Sequence, residues 1–349
     1  MTMDTRRYRL PAEWEAHKST ILCWPQQQAD WPGKFMTIPW VYGEIVKKLL
    51  QAGESVRILV SSQQEQHRAR RCLERAHVAL DRVEFYAIPT DRGWMRDTSP
   101  CFVKQGEKTV AVHFTFNGWA KYDNWQLDRQ VPAILAAVLA APLREAVHNQ
   151  RGVVLEGGAV DGNGCGTVLA TRECLLDATR QVRNPGFTSQ DYEAVFAEYL
   201  GADQVIWLNR GIAGDDTHGH VDDLCRFVNR DTVVLCRETN PADDNYRPLE
   251  ENLEILQSAR LEDGSRLSVV SLPMPGPLFF DGVRLPASYA NFYIANQAVL
   301  VPTFNDPHDR VALNILQDLF PERRVVGIHA VDLVWGLGTI HCLSHEEPL

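Results

Sequence analysis

The sequence predicts an α/β fold. Short runs rich in β-branched residues recur along it, each long enough for one buried strand. Between them lie stretches with apolar residues three or four apart, the spacing of a helix with one face in a core. Strand and helix patterns alternate to the end of the chain, as in α/β proteins.

The first strand is expected at 20–24, Thr-Ile-Leu-Cys-Trp. A helix follows over 41–50, where Ile45, Leu49 and Leu50 fall near one face. Strands are expected at 56–60, 83–88, 109–112 and 167–170, all dense in Val, Ile, Thr and Phe. Tyr192, Val195, Phe196 and Tyr199 give a helix over 191–199. Strands at 205–208 and 232–236 precede a helix over 249–256. Strands at 269–272 and 298–301 precede a helix over 310–319, and 325–328 is the last strand.

Composition narrows the function. The chain has 349 residues, 45% apolar and 23% charged, which is ordinary for a globular protein. Its formal charge of −10 argues against nucleic acid as a partner and suits a cationic small molecule. No apolar run approaches the roughly 18 residues of a membrane helix. The start, Met1 to Arg7, has no apolar signal core, so a cytoplasmic protein is expected. Eight scattered cysteines without CxxC pairing fit reduced thiols, and Cys23, Cys225 and Cys236 sit in apolar runs as core residues. Dinucleotide (GxGxxG) and phosphate-loop (GxxxxGK[ST]) signatures are absent.

Four segments concentrate polar, glycine and aromatic residues. In Asp91-Arg92-Gly93-Trp94-Met95-Arg96-Asp97 a ring and a carboxylate together suit a flat cation, and a salt-bridged turn is the plainer alternative. Glu156-Gly157-Gly158 puts a carboxylate at the end of an apolar run, with glycines that allow close approach. The Asp161-Gly162-Asn163-Gly164 that follows reads as a hairpin turn. In Asp216-Thr217-His218-Gly219-His220-Val221-Asp222, an extended backbone would put His220 and Asp222 on one face. A zinc site on His218 and His220 competes with this, but no HExxH or CxxC supports it. Finally, Gly336-Leu337-Gly338-Thr339-Ile340-His341-Cys342 sets a cysteine in a glycine-flanked stretch, where it is a candidate nucleophile. His341 would point away from Cys342 in a strand and is not its expected partner.

Together these segments resemble the agmatine deiminases, also labelled Porphyromonas-type peptidylarginine deiminases, of the guanidino-group-modifying (pentein) superfamily. The residues that carry the resemblance are Trp94-Met95-Arg96-Asp97, Glu156-Gly157-Gly158, His218-Gly219-His220-Val221-Asp222 and Gly336 to Cys342. Phe116-Asn117-Gly118-Trp119, the stretch 285–293 and the stretch 301–307 look familial too. Ser99 stands where the family often has Gly, and His218 where it often has Asp.

The resemblance implies a single pentein domain over 1–349, a propeller of five ββαβ-like modules of about 70 residues with its site at the central channel. No sequence repeat reveals that symmetry. It also implies hydrolysis of agmatine to N-carbamoylputrescine and ammonia, a step in putrescine synthesis. Free arginine or peptidylarginine are the alternative substrates. Cys342 would attack the guanidinium carbon, and His220 would serve as acid and then base. Asp97 and Asp222 would clamp the guanidinium, and Glu156 would hold His220 protonated. Trp94, Trp119, Asp216 and Gly338 are the expected substrate-binding residues. The implied enzyme needs no metal and no organic cofactor, and a homodimer is left open. A zinc-dependent amidohydrolase and a non-catalytic binding protein are the rivals from other classes.

Overall fold

In a computed structural model covering residues 7–349, every strand read from the sequence forms, with its ends moved by a few residues. The leaderless start expected at 1–6 lies outside the described residues. The four expected helices form as Ile38–Gln51, Ser189–Tyr199, Tyr246–Ser258 and His308–Leu319. The second begins in a capping box, in which Thr188 accepts from the Asp191 amide and Asp191 accepts from Thr188.

Among the described residues, five sheets repeat one plan: two antiparallel strands, a crossover helix, and a third strand parallel to the second. Cys101–Gln105 pairs with Lys108–His113, helix Val131–Val138 crosses over, and Leu143–Glu145 completes the sheet. Asp161–Gly162, Thr167–Thr171 and Gln204–Leu208 repeat this around Ser189–Tyr199. Cys225–Asn229, Thr232–Arg237 and Ser268–Pro273 repeat it around Tyr246–Ser258. Tyr293–Ile294, Ala298–Thr303 and Arg324–His329 repeat it around His308–Leu319. The fifth sheet joins the chain's two ends. Ser344–Pro348 is the antiparallel partner of His17–Cys23, helix Ile38–Gln51 crosses to Val56–Val60, and Val83–Ala87 adds a fourth strand. This is the fivefold ββαβ repetition that the resemblance implies.

The middle strand of each sheet carries the packing. Ile58, Leu59, Leu169, Val234, Leu235 and Leu300 are fully buried, and each such side chain contributes about 1.5–3 kcal/mol relative to exposure.

Some elements escape a reading by periodicity. Helix Gln63–Arg75 buries only Ala69 and Leu73, so its apolar stripe is too thin to read. Strand Cys225–Asn229 has Arg226 as its second residue, fully buried against Asp161. Asp161–Gly162 is a strand, not the first half of a turn. Asp161 accepts from Arg226 Nε at 3.0 Å and the Phe227 amide at 2.6 Å, which fixes it in extended form. The turn lies at 163–166, where Gly164 and Gly166 take φ of +73° and +119°.

Candidate active site

The dispersed motifs occupy one repeated position: the turn just before the first strand of a sheet. Trp94 opens the short helix Met95–Thr98 ahead of Cys101–Gln105. Glu156 opens the turn Gly157–Ala159 ahead of Asp161–Gly162. His220 opens the turn Val221–Asp223 ahead of Cys225–Asn229. Asn291 stands two residues before Tyr293–Ile294, and Cys342 lies in helix Ile340–Leu343, directly before Ser344–Pro348. Repetition of the module therefore brings together residues that the sequence keeps far apart.

A cavity of about 250 Å³ is lined by Trp94, Asp97, Trp119, Asp216, Gly338 and Cys342, all six predicted. His220, Glu156 and Asp222 sit beneath it, buried. His220 Nδ1 is 3.9 Å from Asp97 Oδ1, and its Nε2 is 3.8 Å from Glu156 Oε2. Burial works against the charged imidazole, but Asp97 foremost, then Cys174 and Glu156, raise it well above the ordinary histidine value. Asp97 accepts from the Trp119 indole N–H at 2.8 Å and from the Gly158 amide at 3.0 Å. Trp119 thus fixes a carboxylate as well as lining the wall.

The thiol of Cys342 meets carboxylates. It donates to Asp222 Oδ2 at 3.7 Å and accepts from Asn291 Nδ2 at 3.0 Å. Burial first, then Asp222, Asp223 and Asp97, push it well above the ordinary thiol value. Asp222 Oδ1 is buried without a hydrogen-bond partner among the described residues, and such a group has a strong demand for a donor.

Glu156 is held by a residue that carries no motif. Arg183 Nε donates to it at 3.1 Å, and both side chains are fully buried. Burial alone would raise the carboxyl, yet Arg183 and then His220 bring it down to about 2. Arg183 also donates to the carbonyls of Gln181 and Thr217.

The two histidines of the HxH motif part company. His218 Nε2 reaches Asp177 Oδ2 at 2.9 Å, and His218 belongs to neither of the three-residue clusters of metal-ligating type found among the described residues. Glu156, Cys174 and His220 form one and Asp222, Asp223 and Cys342 another, each with ligand atoms within 4.8 Å of one another. His341 lies on a short helix rather than a strand, and its Nδ1 contacts Asp222 Oδ2 at 2.7 Å.

Sequence reasoning passed over Arg183, Asp223, Asp30 and Glu13, and left Asn291 and His341 without a role. Asn291 lies in a stretch already singled out, whereas Arg183 has no neighbour in sequence that marks it. Asp216 lines the cavity and also accepts from Tyr122 Oη at 2.6 Å and pairs with Lys121. Asp30 also lines the cavity, paired with Arg92 at 2.6 Å.

Comparison with known proteins agrees with this arrangement. The agmatine deiminase of Ectopseudomonas mendocina is 34% identical over 365 aligned residues, which cover 98% of this chain and 95% of that one. The solved agmatine deiminase of Enterococcus faecalis superposes with a TM-score of 0.88 at 28% identity, covering 98% of this chain and 96% of that one. A cysteine-to-serine variant of the C. jejuni agmatine deiminase, solved with substrate bound, superposes at 0.86 with 27% identity, covering 97% and 96%. The Porphyromonas-type peptidyl-arginine deiminase profile matches residues 9–348. With its five ββαβ sheets and its converging cysteine, histidine and carboxylates, the chain belongs to the Porphyromonas-type peptidyl-arginine deiminase family.

Proposed function

We propose that this protein hydrolyses agmatine to N-carbamoylputrescine and ammonia, and that the whole chain forms one catalytic unit. One observation carries the reading: Cys342 and the buried carboxylate Asp97 line one cavity, Asp222 lies 3.7 Å from the thiol, and the His220 imidazole lies 3.9 Å from Asp97. A guanidinium is planar, cationic and rich in N–H donors, so paired carboxylates match it.

The chemistry then has assigned parts. The bound cation favours ionisation of Cys342, whose S–H proton leaves to water, and the resulting thiolate bonds to the guanidinium carbon. Ammonia leaves with a proton from His220, giving an amidino-cysteine. His220, now neutral, takes a proton from water. The hydroxide adds to the amidino carbon, the C–S bond breaks, and the hydroxyl proton passes to the departing sulfur as the carbonyl forms, so the neutral ureido product leaves with Cys342 a thiol and His220 protonated again. Glu156 keeps His220 charged for the first half. Trp94 and Trp119 wall the methylene chain. Asp30 supports a substrate with a second positive charge, because its buried carboxyl group belongs to the residues that line the same cavity. Burial raises that carboxyl to about 6 despite Arg92, and a bound ammonium would lower it.

Ammonia release from agmatine, free arginine and a blocked arginyl peptide, each with and without a chelator, tests the assignment. Agmatine should give the highest specificity constant, unchanged by chelation. A better result with arginine or the peptide sinks the substrate assignment, and loss on chelation with recovery on adding zinc favours a metal site. Asp97→Asn and Asp222→Asn should each cost about 2–5 kcal/mol of transition-state binding, read from kcat/KM.

A further inference from the structure

Consecutive residues of two short helices face different cavities. Asp97 and Cys342 line the cavity of about 250 Å³. Arg96 and His341, the residue before each, line a second one of about 40 Å³, and no residue lines both. Leu10, Cys101, Gly162 and Glu346, all partly exposed, lie on the second cavity's rim.

His341 spans the wall between them. Its Nδ1 lies 2.7 Å from Asp222 Oδ2, and its Nε2 lies 2.7 Å from Glu13 Oε2. Each is a hydrogen-bond distance and needs a proton. A neutral imidazole has one N–H and would meet the other carboxylate lone pair to lone pair. The chain Glu13–His341–Asp222 therefore holds two protons, one more than a neutral imidazole between two carboxylates supplies.

The surroundings allow that charge. Glu13 also faces Arg96 at 3.2 Å and Arg226 at 3.0 Å. Arg96 pairs in turn with Glu346, and Arg226 with Asp161. His345, His17 and Tyr293 lie near Glu13, and Asp97, Asp223, His220 and the Cys342 thiol, 3.7 Å from Oδ2, lie on the Asp222 side. Asp222 is the hinge of the arrangement. Its Oδ2 serves His341, Asn291 and Cys342, while its Oδ1 has no partner among the described residues. A guanidinium taken up by Oδ1 would share one carboxylate with a cationic His341, and like charges so close disfavour each other.

We infer that entry of a guanidinium cation at Asp222 expels one proton from the Glu13–His341–Asp222 chain into the second cavity, which makes His341 a positioning residue whose charge alternates with substrate. This rests on the site taking a guanidinium substrate. The balance is simple. The Nε2–H bond breaks, its proton passes to Glu13 Oε2 and from there to water, and Nδ1–H stays donated to Asp222. One positive charge leaves the chain as one arrives on the substrate. The exit lies away from the cavity that the substrate fills.

Calorimetric titration of agmatine into the Cys342→Ser protein, in buffers of different protonation enthalpy, counts the protons released without turnover. Protons from Asp97 or Asp223 persist when the chain is altered. In the same background, Glu13→Gln and His341→Gln should each release about one proton fewer per site, and agmatine affinity should rise less steeply with pH. Equal release in all three proteins overturns the inference. Absence of any agmatine binding to the Cys342→Ser protein would instead count against the functional reading. Should either variant fail to fold, long-range 15N spectra of the Cys342→Ser protein decide alone. The His341 ring, assigned through its backbone, should lose its imidazolium signature on saturation with agmatine, and an unchanged ring overturns the inference.

Discussion

Cys342 is surrounded by groups that oppose its ionisation, and this gives the thiol a testable habit. With burial, Asp222, Asp223 and Asp97 all raising it, the free protein at neutral pH carries it as a thiol. Alkylation by iodoacetamide, followed by mass spectrometry of the Cys342 peptide, should be slower than for a free thiol. Its rate should still climb above the ordinary thiol range. Fast alkylation at pH 7 would mean that the carboxylates do not govern the sulfur. Cys342→Ser should fold and lose nearly all turnover, and acid quench of the active protein should trap an amidino adduct on that peptide alone. Arg183 makes the complementary case. Its partner Glu156 is lowered to about 2, so the stability from that pair is present above the ordinary carboxyl range and lost as pH falls through about 2. Arg183→Met leaves a buried carboxylate uncompensated. It should cost about 3–5 kcal/mol in denaturant unfolding at neutral pH, and less near pH 3, where Glu156 without its partner can protonate. Cys342, His220, Glu156, Asp97 and Asp222 were legible because glycines, aromatics and charges crowd around them in sequence. Arg183 and Asn291 were not, since their partners are remote: Glu156 for one, Asp223 and Cys342 for the other.

The turns ahead of the first strands leave no room for extra atoms. A Cβ on Gly158 would lie 2.6 Å from His220 Nδ1 and 3.0 Å from Asp97 Oδ1. On Gly157 it would meet the Arg96 carbonyl at 2.2 Å. On Gly338 it would meet the Trp94 ring at 2.7 Å and Cys342 Cβ at 3.1 Å. Gly158→Ala must therefore displace His220 or Asp97, and misplacing a catalytic group by about 1 Å costs on the order of 100-fold in rate. Steady-state kinetics should show that loss with the unfolding midpoint little changed. Wild-type kcat would remove Gly158 from the site. Legibility among the elements follows burial. The middle strands were readable because both faces are packed and their runs are continuously apolar. Cys225–Asn229 was not, because the fully buried Arg226 interrupts its run. Nor was Ser344–Pro348, whose sequence Ser-His-Glu-Glu-Pro reads as a polar tail although most of it is buried.

Across the entire chain, the fivefold plan escaped detection in sequence because each module repeats only a pattern of packing, which many residues satisfy equally well. The joint between first and last strands shows this best. Ser19 Oγ donates to Glu347 Oε2 at 2.6 Å, and Arg57 pairs with the same oxygen at 2.8 Å. The strand so anchored runs on directly from the helix that carries Cys342. Glu347→Ala should leave Arg57 short of its closest partner, lower stability by about 3–5 kcal/mol, and reduce turnover as the helix of the nucleophile loosens. Thermal unfolding and ammonia release on one preparation would check both. Undiminished activity at a lowered melting temperature would separate the joint from the site.

That joint also bears on biosynthesis. His17–Cys23 leaves the ribosome well before its antiparallel neighbour Ser344–Pro348, which is more than three hundred residues away in sequence. Until that segment appears, Ile21 and Leu22 belong to an open β-edge, and such an edge invites pairing with other nascent chains. Closing so long a loop is also slow. That edge stays open to other strands until the helix of Cys342 and the strand after it arrive.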